Sequence, residues 1–356
     1  MSGKTDPGRF FEDFRPGERI VHAVPRTIGE GEVALYIALT GSRFALHSSD
    51  PFAQALGYAQ APVDDMLVFH IVFGRTVPDI SLNAIANLGY ADCRFGVPVY
   101  PGDTLSTVSE VIGVKETSNG ETGIVYVRST GTNQLGEDVL DYVRWVLVKK
   151  RDRTSSTLGP APGPVVPALP SFVPADSLLV PEGLDLAGWD DALAGTRHRW
   201  EDYEKGERID HVDGMTIEES CHMIATRLYQ NNARVHFNQH VEAGGRFGRR
   251  IVYGGHIVSL ARALSANGLG AAFHIAAING GRHINPSFAG DTIYAWSEVL
   301  DRVANGGRDD LGALRLRTVA CKNRSAADFP GADLSGEPDP SVVLDLDYWV
   351  LMPRRV

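Results

Sequence analysis

The alternation of apolar and polar positions predicts six long strands, three in each half of the chain. The strands are 105–114, 124–130 and 139–149 in the first half and 293–303, 314–321 and 342–352 in the second. Alternation of this kind is typical of strands that bury one face. Asn119-Gly120 and Asn305-Gly306 separate the first two strands of each set, and Asn-Gly pairs favour hairpin turns. The pattern therefore predicts two antiparallel meanders.

A strongly apolar segment precedes each meander, and a mixed polar–apolar helix precedes that segment. The mixed helices cover 31–39 and 217–229, and the apolar helices cover 66–73 and 257–264. The apolar helix of the first half is apolar almost all round, which is typical of an enclosed helix. A buried helix followed by a long antiparallel meander that wraps it describes a hot-dog fold. We therefore expect an α+β protein made of two hot-dog units in tandem, a double hot-dog.

Repetition within the sequence supports the two units. Several pairs of segments lie 189 positions apart: 11–14 with 200–203, 17–20 with 206–209, His22 with His211, and His47 with His236. A constant offset means that there is no net insertion, so one fold was duplicated in tandem. The second half is longer by about fifteen residues, and the Pro-, Gly-, Ser- and Asp-rich segment 324–341 is the predicted insertion, since loops absorb added residues at little thermodynamic cost.

A proline-rich segment joins the two halves. Its prolines are Pro160, Pro162, Pro164, Pro167, Pro170, Pro174 and Pro181. Proline at this density is incompatible with a regular helix or a central strand, so the segment is predicted to be an extended, semi-rigid crossover along the surface. The predicted domains are an N-terminal hot-dog at 1–152, a linker at 153–186 and a C-terminal hot-dog at 187–356.

Composition narrows the class of protein. The 356 residues carry a formal net charge of −10, which argues against nucleic acid or an anionic membrane as the main partner. Three scattered cysteines without metal-ligand spacing favour a reducing compartment. No apolar run approaches the length of a membrane span, and the first residues lack an apolar signal core. We expect a cytoplasmic protein that does not bind membranes.

The segment 36–47 carries the most specific motif in the chain. Tyr36, Thr40-Gly41 and His47 have the spacing of the signature of the MaoC-like, or R-specific enoyl-CoA hydratase, family. The Pro-Gly-Asp-Thr turn at 101–104 and the Ile-Val-Tyr-Gly-Gly stretch at 251–255 also resemble segments of that family. The resemblance covers nearly the whole chain except the linker.

Longer phrases resemble the mesaconyl-CoA (2-methylfumaryl-CoA) hydratase branch of the family. They are 39–44, 63–70 and 232–238. The resemblance implies reversible hydration of an acyl-CoA thioester, with CoA present only as part of the substrate and with no other cofactor. It leaves three alternatives open: a generic (R)-3-hydroxyacyl-CoA dehydratase, a hot-dog thioesterase, and a non-catalytic acyl-CoA binding protein.

The residues that the family uses for catalysis are incomplete here. The resemblance assigns acid/base work to a histidine and to an aspartate five residues before it, but Ser42 and Asn231 stand at the two aspartate positions. We predict that His236 is the catalytic histidine, that Asn231 holds the water, and that His47 is its counterpart in the first half. The alternative is that both histidines are structural, as we expect for His22 and His211.

The start of the second apolar helix is a candidate oxyanion site. Gly254 and Gly255 would let a thioester approach the backbone N–H groups of a helix N-terminus, although they could instead serve close packing. Asp64-Asp65 stand at the matching place in the first half. A carboxylate there would cap the helix and occupy the oxyanion position, so the sequence favours the second half as the thioester-binding half.

Arginines are the candidate anion-binding residues. Arg246, Arg249 and Arg250 are predicted to contact the CoA phosphates, with a solvated charge cluster as the alternative. Arg43 and Arg234, in the two histidine loops, are predicted to bind the free carboxylate of a 2-methylfumaryl group, with pairing to Asp50 or another acid as the alternative. His236 and His240 have helical spacing but no third ligand, so we predict no metal site. A homodimer or higher homo-oligomer is expected.

Overall fold

The computed structural model describes residues 3–118, 120–152, 164–304, 307–331 and 336–355. Within these ranges the chain forms one antiparallel sheet of eleven strands, with helices packed against it. The strands are β1 Arg19–Val21, β2 Arg26–Thr27, β3 Ala84–Phe95, β4 Thr104–Glu116, β5 Thr122–Thr132, β6 Asp138–Lys149, β7 Arg208–Thr216, β8 His274–His283, β9 Thr292–Ala304, β10 Leu311–Lys322 and β11 Val342–Pro353. Their order is β1-β4-β5-β6-β3-β8-β11-β10-β9-β7, and β2 pairs with β4.

The helices repeat in the two halves. They are α1 Glu30–Thr40, α2 Asp50–Ala55, α3 Asp65–Thr76, α4 Glu219–Leu228, α5 Arg234–Phe237, α6 Gln239–Glu242, α7 Gly254–Leu264 and α8 Ala266–Leu269. The six strands expected from alternation are confirmed as β4, β5, β6, β9, β10 and β11. Asn119 and Asn305-Gly306 lie outside the described residues, so the two Asn-Gly turns stay predictions. No helix in the described ranges is long and apolar enough to cross a membrane.

The central helix of each half is enclosed, as the apolar sequence predicts. All twelve residues of α3 are buried, and only the first residue of α7 is not. The two helices meet at equivalent positions, because the His70 imidazole Nε2 lies 2.7 Å from the Ser259 hydroxyl and the two residues are 189 positions apart. Tyr36 donates a second hydrogen bond to Ser259, at 2.9 Å. Positions that the duplication makes equivalent therefore touch each other where the two central helices meet.

Two strands that the sequence did not predict join the halves. β3 and β8 pair with each other in antiparallel register, with Tyr90 opposite Gly281 and Arg94 opposite Ala277. β8 is buried at its first six positions, so it shows no alternation, and both strands are rich in Ala, Gly and Asn, which are weak strand formers. Their pairing makes one continuous sheet from two.

Repeated polar residues fix the ends of the strands. Asp103 accepts a hydrogen bond from the Tyr100 backbone N–H at 2.7 Å, and Asp291 does the same for Phe288 at 2.9 Å. His22 and His211 are buried and bond through Nε2 to Ser109 and Ser297, each at 2.8 Å. The last two bonds join His22, the residue after β1, to β4 and His211, in β7, to β9, which is the structural role expected of these histidines.

The described part of the linker, 164–186, is built into the protein rather than confined to its surface. Val165 forms a β-bridge with Val114. Val173 is fully buried; its N–H donates to the Asn279 side chain at 2.7 Å, and its carbonyl accepts from the Trp349 indole at 3.0 Å. Residues 153–163, with Pro160 and Pro162, lie outside the described residues.

Candidate active site

The two repeated histidines are held in the same way. His47 Nδ1 lies 3.1 Å from the Pro62 carbonyl oxygen and His236 Nδ1 lies 3.0 Å from that of Ile251, and the partners are 15 positions apart in both cases. A carbonyl oxygen can only accept, so each Nδ1 carries the hydrogen. In the neutral ring, Nε2 is then the unprotonated nitrogen and can take a proton from water.

The environment of His236 favours its neutral form. Burial lowers the pKa of His236 to about 4, the nearby His222 adds to this effect, and the hydrogen bond to the Ile251 carbonyl opposes it. The ring packs edge-on against Tyr253, with 5.6 Å between the ring centroids. The residue as a whole still keeps part of its surface exposed. His236 is therefore a neutral imidazole at neutral pH, positioned beside the start of α7.

The two helix N-termini differ in charge. In the first half Asp64 caps α3 by accepting from the Met66 N–H at 2.9 Å. Asp65 extends away to the second half, where its two oxygens contact His274 Nδ1 at 2.9 Å and the Ile275 N–H at 2.7 Å. By contrast, α7 has no acidic residue in its first turn, so no side-chain carboxylate offsets the partial positive charge of its N–H groups.

Glycine at the start of α7 is required by close packing. A Cβ at position 254 would lie 2.6 Å from the ring of His283. Burial lowers the pKa of His283 to about 4, with a further contribution from the nearby His236. The His283 Nε2 atom lies 3.4 Å from the hydroxyl of Tyr90, on the other half of the sheet. A second imidazole therefore lies at the same helix N-terminus as His236.

A small cavity of about 20 Å³ lies beside His47 in the first half. Tyr58, Asp65 and His274 also line it. Burial alone would raise the pKa of Asp65, but the charge and hydrogen bond of His274, with His47 nearby, hold it below its usual value. The Tyr58 hydroxyl and His274 Nε2 have no hydrogen-bond partner among the described residues. This volume fits about one water molecule and is too small for an acyl thioester.

A cleft of about 500 Å³ lies between the two halves, within the size range of ligand sites. It is lined by Ala23, Val24, Gly74, Arg75, Pro78, Asp79, Thr226, Arg227, Gln230, Asn231, Asn232 and Phe237. Asn231 is 2% exposed and accepts a hydrogen bond from the Ala233 N–H at 3.2 Å. His236 does not line the cleft, but the next residue, Phe237, does. The position at which the family has its aspartate therefore faces a ligand-sized space.

Among the described residues, the arginines of the histidine loops do not pair with acids. Arg234 donates to the Asn83 side chain of the first half at 2.9 Å. Arg43 is exposed, and its guanidinium forms no hydrogen bond or ion pair within the described ranges. Asp50 accepts instead from the Ala61 N–H at 2.9 Å. The predicted carboxylate contacts of Arg43 and Arg234 stay predictions, and neither residue lines the cleft.

The three arginines before α7 differ in their surroundings. Arg250 forms an ion pair with Glu219. Arg249 stacks on Phe288 with 3.9 Å between its guanidinium carbon and the ring centroid, and Arg246 lies 5.1 Å from the centroid of Phe247. Arg246 and Arg249 thus form an exposed cationic and aromatic surface, whereas the charge of Arg250 is already offset.

Sequence reasoning missed several residues that face these sites: Tyr58, Arg75, His274 and His283. Only His283 left a local signal, because the repeat aligns Arg282-His283 with Arg94-Phe95, so a histidine replaces a phenylalanine. His274 and His283 lie on β8, the strand that the alternation pattern did not reveal. Their contacts with Asp65 and Gly254 depend on how β8 meets the central helices.

Two hot-dog units in tandem, each with a histidine loop beside the start of its central helix, define a MaoC-like double hot-dog protein. The fold is similar to that of a solved protein described as a MaoC-domain dehydratase from Chloroflexus aurantiacus, which is 66% identical, with a TM-score of 0.96 and complete coverage of both chains. A double hot-dog protein of Mycobacterium tuberculosis, at 24% identity and a TM-score of 0.76, covers 98% of this chain and 99% of its own and shares the fold.

The chain belongs to the mesaconyl-CoA hydratase family, which matches residues 2–334. It is 66% identical to the β-methylmalyl-CoA dehydratase of Chloroflexus aurantiacus over 355 residues, with complete coverage of both chains. It is 58% identical to the mesaconyl-CoA hydratase of Cereibacter sphaeroides over 351 residues, which cover 99% of this chain and all of the relative. The chain is therefore a hydro-lyase of the enoyl-CoA hydratase type.

Proposed function

We propose that the chain catalyses the reversible hydration of 2-methylfumaryl-CoA (mesaconyl-CoA) to β-methylmalyl-CoA. The names of the two relatives above 50% identity support the substrate. The observation that carries the proposal is the placement of the second-half residues. His236 has its Nδ1 bonded to the Ile251 carbonyl beside the start of α7, and Asn231 faces the cleft between the halves.

His236 supplies both proton transfers in this mechanism. Its Nε2 removes a proton from water, and the water oxygen forms a bond to the β-carbon, which bears the free carboxylate. The electrons of the double bond move toward the thioester, whose oxygen gains negative charge. The imidazolium then returns its proton to the α-carbon, which bears the methyl group. One neutral histidine can perform both steps if water and the returned proton share one face of the substrate.

Two further groups assist in the proposal. The Asn231 amide holds the water, as the family's aspartate would, but without its negative charge. The first N–H groups of α7, at Gly254 and Gly255, stabilise the charge on the thioester oxygen. The N-terminus of α3 in the first half is a poorer thioester site, which supports α7. Asp65 there bonds to His274, and the adjoining cavity has room for only one water.

The remaining assignments concern substrate binding. We place the CoA phosphates near Arg246 and Arg249, which lie exposed over aromatic rings, with Arg250 beside them. Arg43 and Arg234 contribute positive charge from the two histidine loops, although neither lines the cleft. His47 serves the first half, which we propose is a supporting rather than a reacting half.

An assay of the purified protein with 2-methylfumaryl-CoA tests the function directly. Loss of the enoyl thioester absorbance without release of free thiol is the expected result. Thiol release would identify a thioesterase, and binding without either change would identify a non-catalytic acyl-CoA binding protein. A preference for crotonyl-CoA over 2-methylfumaryl-CoA would replace the assignment with a generic enoyl-CoA hydratase.

A further inference from the structure

Three arginines are buried without a carboxylate within ion-pair distance among the described residues. Arg75 is 8% exposed, Arg144 is fully buried and Arg262 is 6% exposed. A buried cation without an opposite charge is unfavourable unless other groups compensate it. The contacts of each guanidinium show whether its charge is compensated.

Arg144 and Arg262 are compensated by neighbouring groups. Arg144 donates to the Thr76 hydroxyl at 2.7 Å, and its guanidinium lies 4.3 Å from the centroid of Phe73. Arg262 donates to the Ala272 carbonyl, and its guanidinium lies 3.7 Å from the centroid of Phe44. Neither residue lines the cleft. These two arginines are parts of the packed interior, stabilised by cation–π and hydrogen-bond contacts.

Arg75 differs because it lines the cleft between the halves. It stands in the last turn of α3, as Arg262 does in α7. One terminal nitrogen donates to the Val24 carbonyl at 2.8 Å, and Nε is buried without a partner. No cation–π contact of Arg75 is found in the described part of the chain. Arg144 Nε is buried without a partner too, so what sets Arg75 apart is a charge without a stacked ring at the wall of a ligand-sized space.

Two of the three charged residues that line the cleft are cations. Arg227 also lines the cleft, and burial together with the nearby Arg26 lowers the pKa of Arg75. The acid at the cleft, Asp79, has its Oδ2 only 2.7 Å from His22 Nδ1 and forms no ion pair with Arg75 in the described structure. The positive charge of Arg75 is thus left for a ligand.

We propose that Arg75 binds the free carboxylate of the acyl group and so selects a dicarboxylate-derived enoyl thioester over a neutral one. The inference rests on the proposed function, in which water adds to the carbon that bears this carboxylate. Asn231, proposed to hold that water, lines the same cleft as Arg75. A carboxylate attached to the hydrated carbon must lie close to the water, hence in this cleft. A guanidinium suits it, since its planar donors match two carboxylate oxygens.

Binding of two unreactive thioesters tests the proposal apart from catalysis. Succinyl-CoA carries a free carboxylate, and butyryl-CoA is its neutral counterpart, so the ratio of their dissociation constants by calorimetry isolates the carboxylate. Arg75→Met should weaken succinyl-CoA binding by roughly 10–100-fold, as loss of a charge-assisted hydrogen bond does, and leave butyryl-CoA nearly unchanged. Arg75→Lys should keep part of the preference. Arg262→Met is the matched control and should leave the ratio at its wild-type value.

Several outcomes of these binding measurements would contradict the proposal for Arg75. If Arg75→Met folds, as shown by circular dichroism, and keeps the wild-type ratio, the proposal is wrong. Equal weakening of both thioesters would assign Arg75 to the CoA moiety and would also overturn it. Loss of the preference in Arg43→Met or Arg234→Met, but not in Arg75→Met, would return the carboxylate site to the histidine loops. If wild type prefers succinyl-CoA through Arg75 but does not hydrate 2-methylfumaryl-CoA, the proposed function fails and the carboxylate site remains.

Discussion

Replacement of each repeated histidine by alanine tests which half performs the chemistry. His236→Ala and His47→Ala remove the same local contact, an Nδ1 hydrogen bond to a carbonyl 15 residues ahead, at 3.0 and 3.1 Å. Loss of one such bond destabilises a protein by about 1 kcal/mol. His47 is 4% exposed, whereas His236 keeps part of its surface exposed, so His47→Ala should lower the free energy of unfolding at least as much.

The expected loss of turnover is much larger for His236→Ala. A general acid–base group typically contributes about 10²–10⁴-fold, which corresponds to about 2.7–5.4 kcal/mol of transition-state stabilisation. KM should change far less than kcat, because His236 acts on water and the α-carbon rather than on the CoA moiety. His47→Ala should reduce kcat by less than about 10-fold if the first half only supports the second.

Steady-state hydration of 2-methylfumaryl-CoA, measured with both variants at equal folded fractions, decides between the outcomes. A larger loss of kcat in His47→Ala would move the reacting site to the cavity beside Asp65 and His274. Wild-type kcat in both variants would refute a histidine-based mechanism.

The structure also predicts how pH, a change at Asp65 and changes at two glycines affect stability. The pKa of four histidines is lowered to about 4: His211, His236, His256 and His283. Their contribution to stability is fully present above pH 6.5, the pKa of histidine in the unfolded chain, and is lost as pH falls through about 4. The urea concentration at the unfolding midpoint should therefore decrease as the pH is lowered from 6.5 to 4. A midpoint that stays constant over this range would contradict these pKa shifts. Asp65→Asn should destabilise by roughly 3 kcal/mol by leaving His274 without its charged partner, and an unchanged urea midpoint at pH 7 would contradict that role. Gly74→Ala should unfold the structure around the cleft, because its Cβ would overlap the Tyr229 carbonyl oxygen, and rapid proteolysis would show this. Gly31→Ala has nothing near its Cβ and should instead raise the free energy of unfolding by about 0.5–1 kcal/mol.

The sequence predicts some residues of the candidate active site but not all of their contacts. The duplication repeats His47 and His236 at one offset, and their common hydrogen bond joins each of them to a carbonyl 15 positions further along the chain. The difference between Asp65 and Gly254 was also visible in the sequence. In the structure Asp65 bonds to His274, which is 209 positions away in the sequence. Neither segment alone could have predicted this bond.

By itself, the sequence determined the duplicated α+β fold, the two enclosed helices and six of the strands, because helix burial and strand alternation are properties of neighbouring residues. Only the tertiary structure decided that β3 and β8 join the halves, since their small residues carry no alternating pattern. It also decided that Arg75, from one half, shares a cleft with Asn231 from the other. Such contacts depend on how helices and strands pack across the boundary between the halves, and that packing is set by side chains distant in the sequence.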